Sequence, residues 1–201
     1  MLKAPIPGFC KTRLAADLGD AERAAEIYRA LVEKQIREIP PGLDVVVHYT
    51  PQDAGPAMRE WLGSGFRYEP QPEGDLGARL VEAMESAFLS GARSVMFLGG
   101  DCPAFETRHF AEVAQLLKLN EIVLVPATDG GYCMLATRAR EPRLFDDIPW
   151  STERVFEATM RRAAECGFRV ALMEEMEDVD DLESYQRAIA SNTLGAIPSI
   201  G

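Results

Sequence analysis

The chain has 201 residues, 47% of them apolar and 26% charged, which suits one globular α/β domain. Its net charge of −11 repels polyanions and argues against DNA or RNA as a partner. No run is apolar enough to span a bilayer and the first residues carry no signal-like apolar stretch, so no membrane is expected and a cytoplasmic location is predicted. Cys10, Cys102, Cys133 and Cys166 lack C-x-x-C spacing, which excludes a zinc ribbon and argues against a disulfide framework.

Residues 3–14 form a loop rich in Pro, Gly and basic side chains. Lys3, Lys11 and Arg13 fall within eleven residues that hold no Asp or Glu. Pro5 and Pro7 fix an extended path, and Gly8 permits a tight turn. Two readings stand: a solvated basic loop, or a grip on a small phosphorylated ligand. Asp20 reads as an N-cap. The helix after it carries Ile27, Tyr28, Leu31, Val32, Ile36 and Ile39 on one stripe and ends at Pro40-Pro41-Gly42. Val45-Val46-Val47 marks a buried strand, in which His48 reads as a core or edge histidine and not as a ligand. A short helix over 54–62 and a strand over 66–69 follow.

Gly74-Asp75-Leu76-Gly77 opens a helix running to about Ser90. Asp75 suits a cap, and Gly77 in the first turn signals close approach of another group. Val95–Leu98 is an apolar strand that leads into Gly99-Gly100-Asp101-Cys102-Pro103. A carboxylate after a buried strand lies at the edge where open α/β sheets bind ligands. Asp101 reads as a metal ligand or as a helix cap, and the two glycines as room for a ligand. The spacing predicts a helix over 107–119, with His109 near an exposed first turn. Ile122–Val125 is a second apolar strand, followed by Asp129-Gly130-Gly131. Tyr132–Thr137 is read as a strand leaving the site. Ser151 or Thr152 caps a helix that reaches Cys166, and residues 169–173 form a strand. Asp178 and Asp180 end an acidic stretch before a helix over 182–190. One domain over 1–190 and a tail over 191–201 are expected.

Three acidic clusters, Asp101, Asp129 and Asp178 with Asp180, each follow an apolar strand. In a parallel sheet they would converge on one edge. Carboxylates there, with a basic loop, suit Mg²⁺ and a nucleoside di- or triphosphate.

The motifs Lys3-x-Pro5-x-x-Gly8-x-x-Lys11-Thr12-Arg13-Leu14, Gly74-Asp75-Leu76-Gly77-x-Arg79, Gly100-Asp101-Cys102-Pro103, Asp129-Gly130-Gly131-Tyr132, Ile148-Pro149-Trp150-Ser151-Thr152 and Asp178-Val179-Asp180 occur in register. In this the chain resembles a bacterial glycosyltransferase-like family, the transferase 1 group associated with radical-SAM and selenium proteins, also called domain of unknown function 2064. That family belongs to the nucleotide-diphospho-sugar transferase superfamily. The resemblance implies a GT-A-like, Rossmann-type three-layer α/β sandwich with a mostly parallel central sheet. It implies nucleotide binding by Lys3, Pro5, Gly8, Lys11, Thr12, Arg13, Gly74, Asp75, Gly77 and Arg79. Asp129, Gly130, Gly131, Trp150, Ser151 and Thr152 would lie on the acceptor side. Asp101 would hold Mg²⁺ or Mn²⁺, with Asp178 and Asp180 as a second metal position. Lys11, Arg13 and Asp101 would be the catalytic set. Only Met1-Leu2 stand where the family has a full first strand, and Asp181-Leu182-Glu183 replaces its Thr-Pro-Glu.

The implied activity is metal-dependent transfer from a nucleotide or nucleotide sugar to a small-molecule acceptor. Glycosyl transfer, nucleotidyl transfer to a phosphorylated acceptor and non-catalytic nucleotide binding all remain open. The sequence does not disclose an oligomeric state.

Overall fold

A computed structural model describes residues 1–194. In chain order the elements are β1 (Leu2–Lys3), α1 (Thr12–Leu18), α2 (Ala21–Glu38), β2 (Val46–Thr50), α3 (Gly55–Leu62), β3 (Arg67–Pro70), α4 (Leu76–Leu89), β4 (Val95–Leu98), α5 (Thr107–Leu116), β5 (Ile122–Pro126), β6 (Tyr132–Thr137), α6 (Val155–Glu165), β7 (Val170–Leu172) and α7 (Leu182–Ala190). They fold into two compact units. The first takes residues 1–71, 99–107 and those from 177 onward; the second takes 72–98 and 108–176.

The first unit is built on a parallel sheet of order β1-β2-β3. β1 is as short as the sequence predicts, and it pairs Leu2 with Tyr49 and Lys3 with Thr50. Val47 and Tyr49 alternate with half-buried neighbours on β2 and meet Tyr28, Val32 and Met58. That face of α2 is the stripe read from the sequence. Its next face packs on α1 and α7, where Leu14, Ile27, Leu31, Val179 and Tyr185 are buried together. Each such side chain contributes roughly 1.5–3 kcal/mol of burial. Leu194 joins this cluster, so the expected tail is packed at its start; residues 195–201 lie outside the described residues.

The second unit holds a sheet of order β4-β6-β5-β7. β6 runs antiparallel to both β4 and β5, while β7 is parallel to β5. The apolar run Ile122–Val125 is wholly buried, as a strand covered on both faces must be. Among the described residues the backbone bonding thus makes one parallel and one mixed sheet.

Four expectations need correcting. Residues 12–14, expected to close the loop, instead begin helix α1. His109 is buried, not exposed, because α5 turns it inward with Phe110 and Val113. The helix expected from Ser151 or Thr152 begins at Val155, with Arg154 at its N-cap. Finally, the room left by Gly99 and Gly100 is filled by protein. A Cβ on Gly100 would lie 2.6 Å from Leu2 Cδ2 and 2.7 Å from Val32 Cγ2, and one on Gly99 would lie 2.8 Å from the Asp101 carboxylate.

Candidate phosphate and metal site

The first unit gathers five of the residues singled out in the sequence. Lys11 is the N-cap of α1 and takes the left-handed conformation (φ 46°, ψ 49°), which costs a non-glycine residue roughly 1–2 kcal/mol. Its side chain is only 4% exposed. The ammonium donates to Asp101 Oδ2 at 2.8 Å and to Asp180 Oδ1 at 2.7 Å. Arg13 Nη1 lies 3.5 Å from Asp180 Oδ2, and its side chain is largely exposed. Asp101, Asp178 and Asp180 each offer a carboxylate oxygen, all within 4.8 Å of one another.

Backbone bonds fix this grouping. Val179 N–H donates to the Asp101 carbonyl at 2.9 Å, and Leu14 N–H to the Asp180 carbonyl at 3.2 Å. Lys34 Nζ holds the Pro103 carbonyl at 2.6 Å, while Thr107 binds Glu38 through its N–H and hydroxyl. At the far end Ser184 Oγ accepts from Asp180 N–H and Asp181 N–H, at 3.0 and 3.1 Å. Asp181 and Ser184 form a capping box, so Asp181-Leu182-Glu183 gives α7 a capped start. Asp17, through Leu182 N–H, ties in the end of α1. The sequence reading missed Asp17 and Ser184. The three-residue spacing from Asp181 to Ser184 was the available signal for the latter.

Electrostatics follow from the geometry. Burial would push the Lys11 ammonium down, but the Asp101 and Asp180 carboxylates outweigh it and hold its pKa above the ordinary lysine value. Burial would likewise raise the Asp101 carboxyl, and Lys11 more than reverses this. Burial raises the Tyr28 hydroxyl, with the Asp101 charge adding to it. That hydroxyl accepts the Lys3 N–H at 3.0 Å and so fixes where the basic loop begins. Gly8, with φ 77° and no neighbour within 4 Å of where a Cβ would be, is a turn glycine with open space above it. Cys10 and Cys102 are buried free thiols.

The motif residues within 74–79, 129–132 and 148–152 belong to the second unit, and Pro5 and Thr12 to the first. Asp75 caps α4, its Oδ1 accepting from Ala78 N–H at 2.9 Å. The group that Gly77 accommodates is Trp150: a Cβ there would lie 2.6 Å from the indole Nε1. Gly130 has φ 88°, and a Cβ on it would run into the Glu153 carbonyl. Asp129 Oδ1 accepts from Gly131 N–H at 2.8 Å, closing its own turn. Ser151 is left-handed (φ 63°), and the Thr152 hydroxyl donates to the Pro149 carbonyl at 2.7 Å. Gly74 has φ 116°.

Comparison with known proteins identifies the class. Residues 37–152 match the family described as "Uncharacterized protein conserved in bacteria (DUF2064)", and the chain belongs to that family. The match takes in the four middle motifs and leaves residues 3–14 and 178–180 outside it. A crystal structure from Desulfovibrio desulfuricans G20, assigned provisionally as a nucleotide-diphospho-sugar transferase, superposes with a TM-score of 0.90 at 28% identity. It covers 97% of this chain and 86% of that one. The fold is therefore the GT-A-like α/β fold expected. Phosphoenolpyruvate guanylyltransferase of Chloroflexus aurantiacus is 27% identical over 63% of each chain. 3-Phospho-D-glycerate guanylyltransferase of Phenylobacterium zucineum is 29% identical over 66% of this chain and 62% of its own. The chain thus spans somewhat under two thirds of these two relatives. Among the described residues, no helix is long and apolar enough to cross a membrane.

Proposed function

We propose that the protein is a nucleotidyltransferase that moves a nucleoside monophosphate, from GTP by analogy with the guanylyltransferase relatives, to a small phosphorylated acceptor. The observation that carries this reading is the buried Lys11 held by Asp101 and Asp180, with Asp178 clustered beside them, at the end of a basic, glycine-containing loop. An acceptor phosphate oxygen would attack the α-phosphorus. The bond from that phosphorus to the bridging oxygen of the β-phosphate would break, releasing pyrophosphate. Lys11 and Arg13 would orient the polyphosphate and offset the charge that builds on it; Lys3 and the turn at Pro5 and Gly8 would shape the loop around it. Thr12, the first residue of α1, follows Lys11 directly at the end of that loop.

The donor set fits a divalent cation. Its three carboxylates are hard oxygen ligands gathered within 4.8 Å of one another, the donor type that Mg²⁺ takes. Asp101, Asp178 and Asp180 would hold Mg²⁺ or Mn²⁺, which supplies neutralising charge to phosphate oxygens when bound. On motif resemblance, the reading gives Gly74, Asp75, Gly77 and Arg79 to the base or ribose. It gives Asp129, Gly130, Gly131, Trp150, Ser151 and Thr152 to the acceptor.

The test is product analysis with Mg²⁺, GTP and either phosphoenolpyruvate or 3-phosphoglycerate, beside a parallel panel of nucleotide sugars. Acceptor-dependent pyrophosphate release supports the reading. Release of a nucleoside diphosphate from a nucleotide sugar alone replaces it with glycosyl transfer. Saturable nucleotide binding with neither product reduces the protein to a binding module.

A further inference from the structure

Lys11 already sits where a cation would. Its ammonium bonds one oxygen of Asp101 and one of Asp180, at 2.8 and 2.7 Å, and its side chain is shielded from solvent. Its backbone is pinned as well: the Lys11 carbonyl accepts from Ala15 N–H at 2.8 Å, so only the side chain can leave. The Lys11 ammonium is shared between two of three clustered carboxylates, and the Met1 α-ammonium also acts on Asp101. Arg13 reaches only Asp180, at 3.5 Å, from an exposed position. The same two oxygens cannot serve the ammonium and a divalent cation equally, because the two positive charges repel at close range.

We propose that Lys11 is a tethered counter-ion, which a divalent cation displaces from Asp101 and Asp180 and which is thereby released to grip the nucleotide phosphates. This rests on the metal reading above and adds an order of events to it. Without metal the lysine holds Asp101 and Asp180 together and the phosphate grip is unavailable. With metal the carboxylates are satisfied, and the three donors of the ammonium turn to the polyanion. The site would therefore take nucleotide only together with its cation.

Two measurements test this without any turnover. The first is titration of the protein with Mn²⁺ alone, followed by calorimetry or by loss of the free-ion paramagnetic signal, for wild type and Lys11→Met. Removing the tethered competitor should tighten Mn²⁺ binding about ten-fold. The second uses wild type only: acylation of lysine amines read by peptide mass spectrometry. Lys11 should be protected without metal and become reactive at saturating Mn²⁺. This arm decides the matter if Lys11→Met does not fold. Equal or weaker Mn²⁺ binding in a folded variant, or Lys11 protection unchanged by bound Mn²⁺ in wild type, overturns the displacement and leaves the metal reading standing. Absence of Mn²⁺ binding in wild type and variant alike overturns both.

Discussion

The segments after β4 and after β5 share one sequence grammar and reach opposite ends. Each is an apolar strand followed by a glycine pair and an aspartate, in the order Gly99-Gly100-Asp101 in one and Asp129-Gly130-Gly131 in the other. Asp101 turns its carboxylate to a buried lysine ninety positions away in the chain. Asp129 turns its own to a backbone N–H two residues on. The glycines differ too. Gly100 makes way for Leu2 and Val32, whereas Gly130 makes way for the Glu153 backbone in a conformation that L side chains rarely adopt. A motif of strand, glycine and aspartate therefore specifies a turn at a strand end. Whether the carboxylate is left for chemistry depends on which distant group arrives beside it.

The sharpest way to break this comparison is at the glycines. Gly130→Ala combines a left-handed backbone with a clash against main chain, which cannot rotate away. It should cost about 3 kcal/mol or more, lowering the melting temperature by roughly 10 °C. A loss below about 1 kcal/mol in thermal denaturation would show that the loop relaxes freely.

Exchanging each aspartate for its amide separates the two roles. Asp101→Asn takes one of two carboxylates from a buried lysine and should cost about 1–3 kcal/mol, discounted for the third of the Asp101 side chain that water reaches. Asp129→Asn keeps an oxygen for Gly131 N–H and should cost no more than about 0.5 kcal/mol. Equal costs in chemical denaturation would erase the distinction between the two turns.

Gly77 tests the packing reading within the second unit. Gly77→Ala should cost about 1–3 kcal/mol through its contact with the Trp150 indole. The loss should largely vanish in the background of Trp150→Leu, where the obstructing ring is gone. Additive effects in this double-mutant cycle would mean that Trp150 is not what keeps position 77 a glycine.

The smallest expected effect is a slope with pH. Burial, with nearby positive charge including Arg67, lowers the His48 pKa to about 4. The unfolded chain, with an ordinary value near 6.5, then binds the proton first as pH falls. Stability is full above about pH 6.5 and declines toward pH 4. His48→Gln should flatten that decline in a series of melting curves; an unchanged slope would assign it to other groups.

Much of this protein was legible in its residues. The stripe of α2, the Asp20 cap, the buried run of β5 and the bounds of α7 all follow from local period and capping, which act within a few residues. The family resemblance was legible in the same way, through short motifs in order. Local signals failed where structure was settled by distant partners. α1 went unseen because Lys11, at its N-cap, has no capping side-chain bond, and only Leu14 on its seven residues is fully buried. His109 and Leu194 are buried by neighbours that no local pattern announces. Composition and spacing determined an α/β chain with a basic loop and three acidic strand ends. Tertiary structure alone decided that Asp101 and Asp180 hold Lys11 while Asp129 closes its own turn. The physical reason is range: periodicity and capping work over one or two turns of chain, whereas the ion pairs of Lys11 join positions 90 and 169 residues apart.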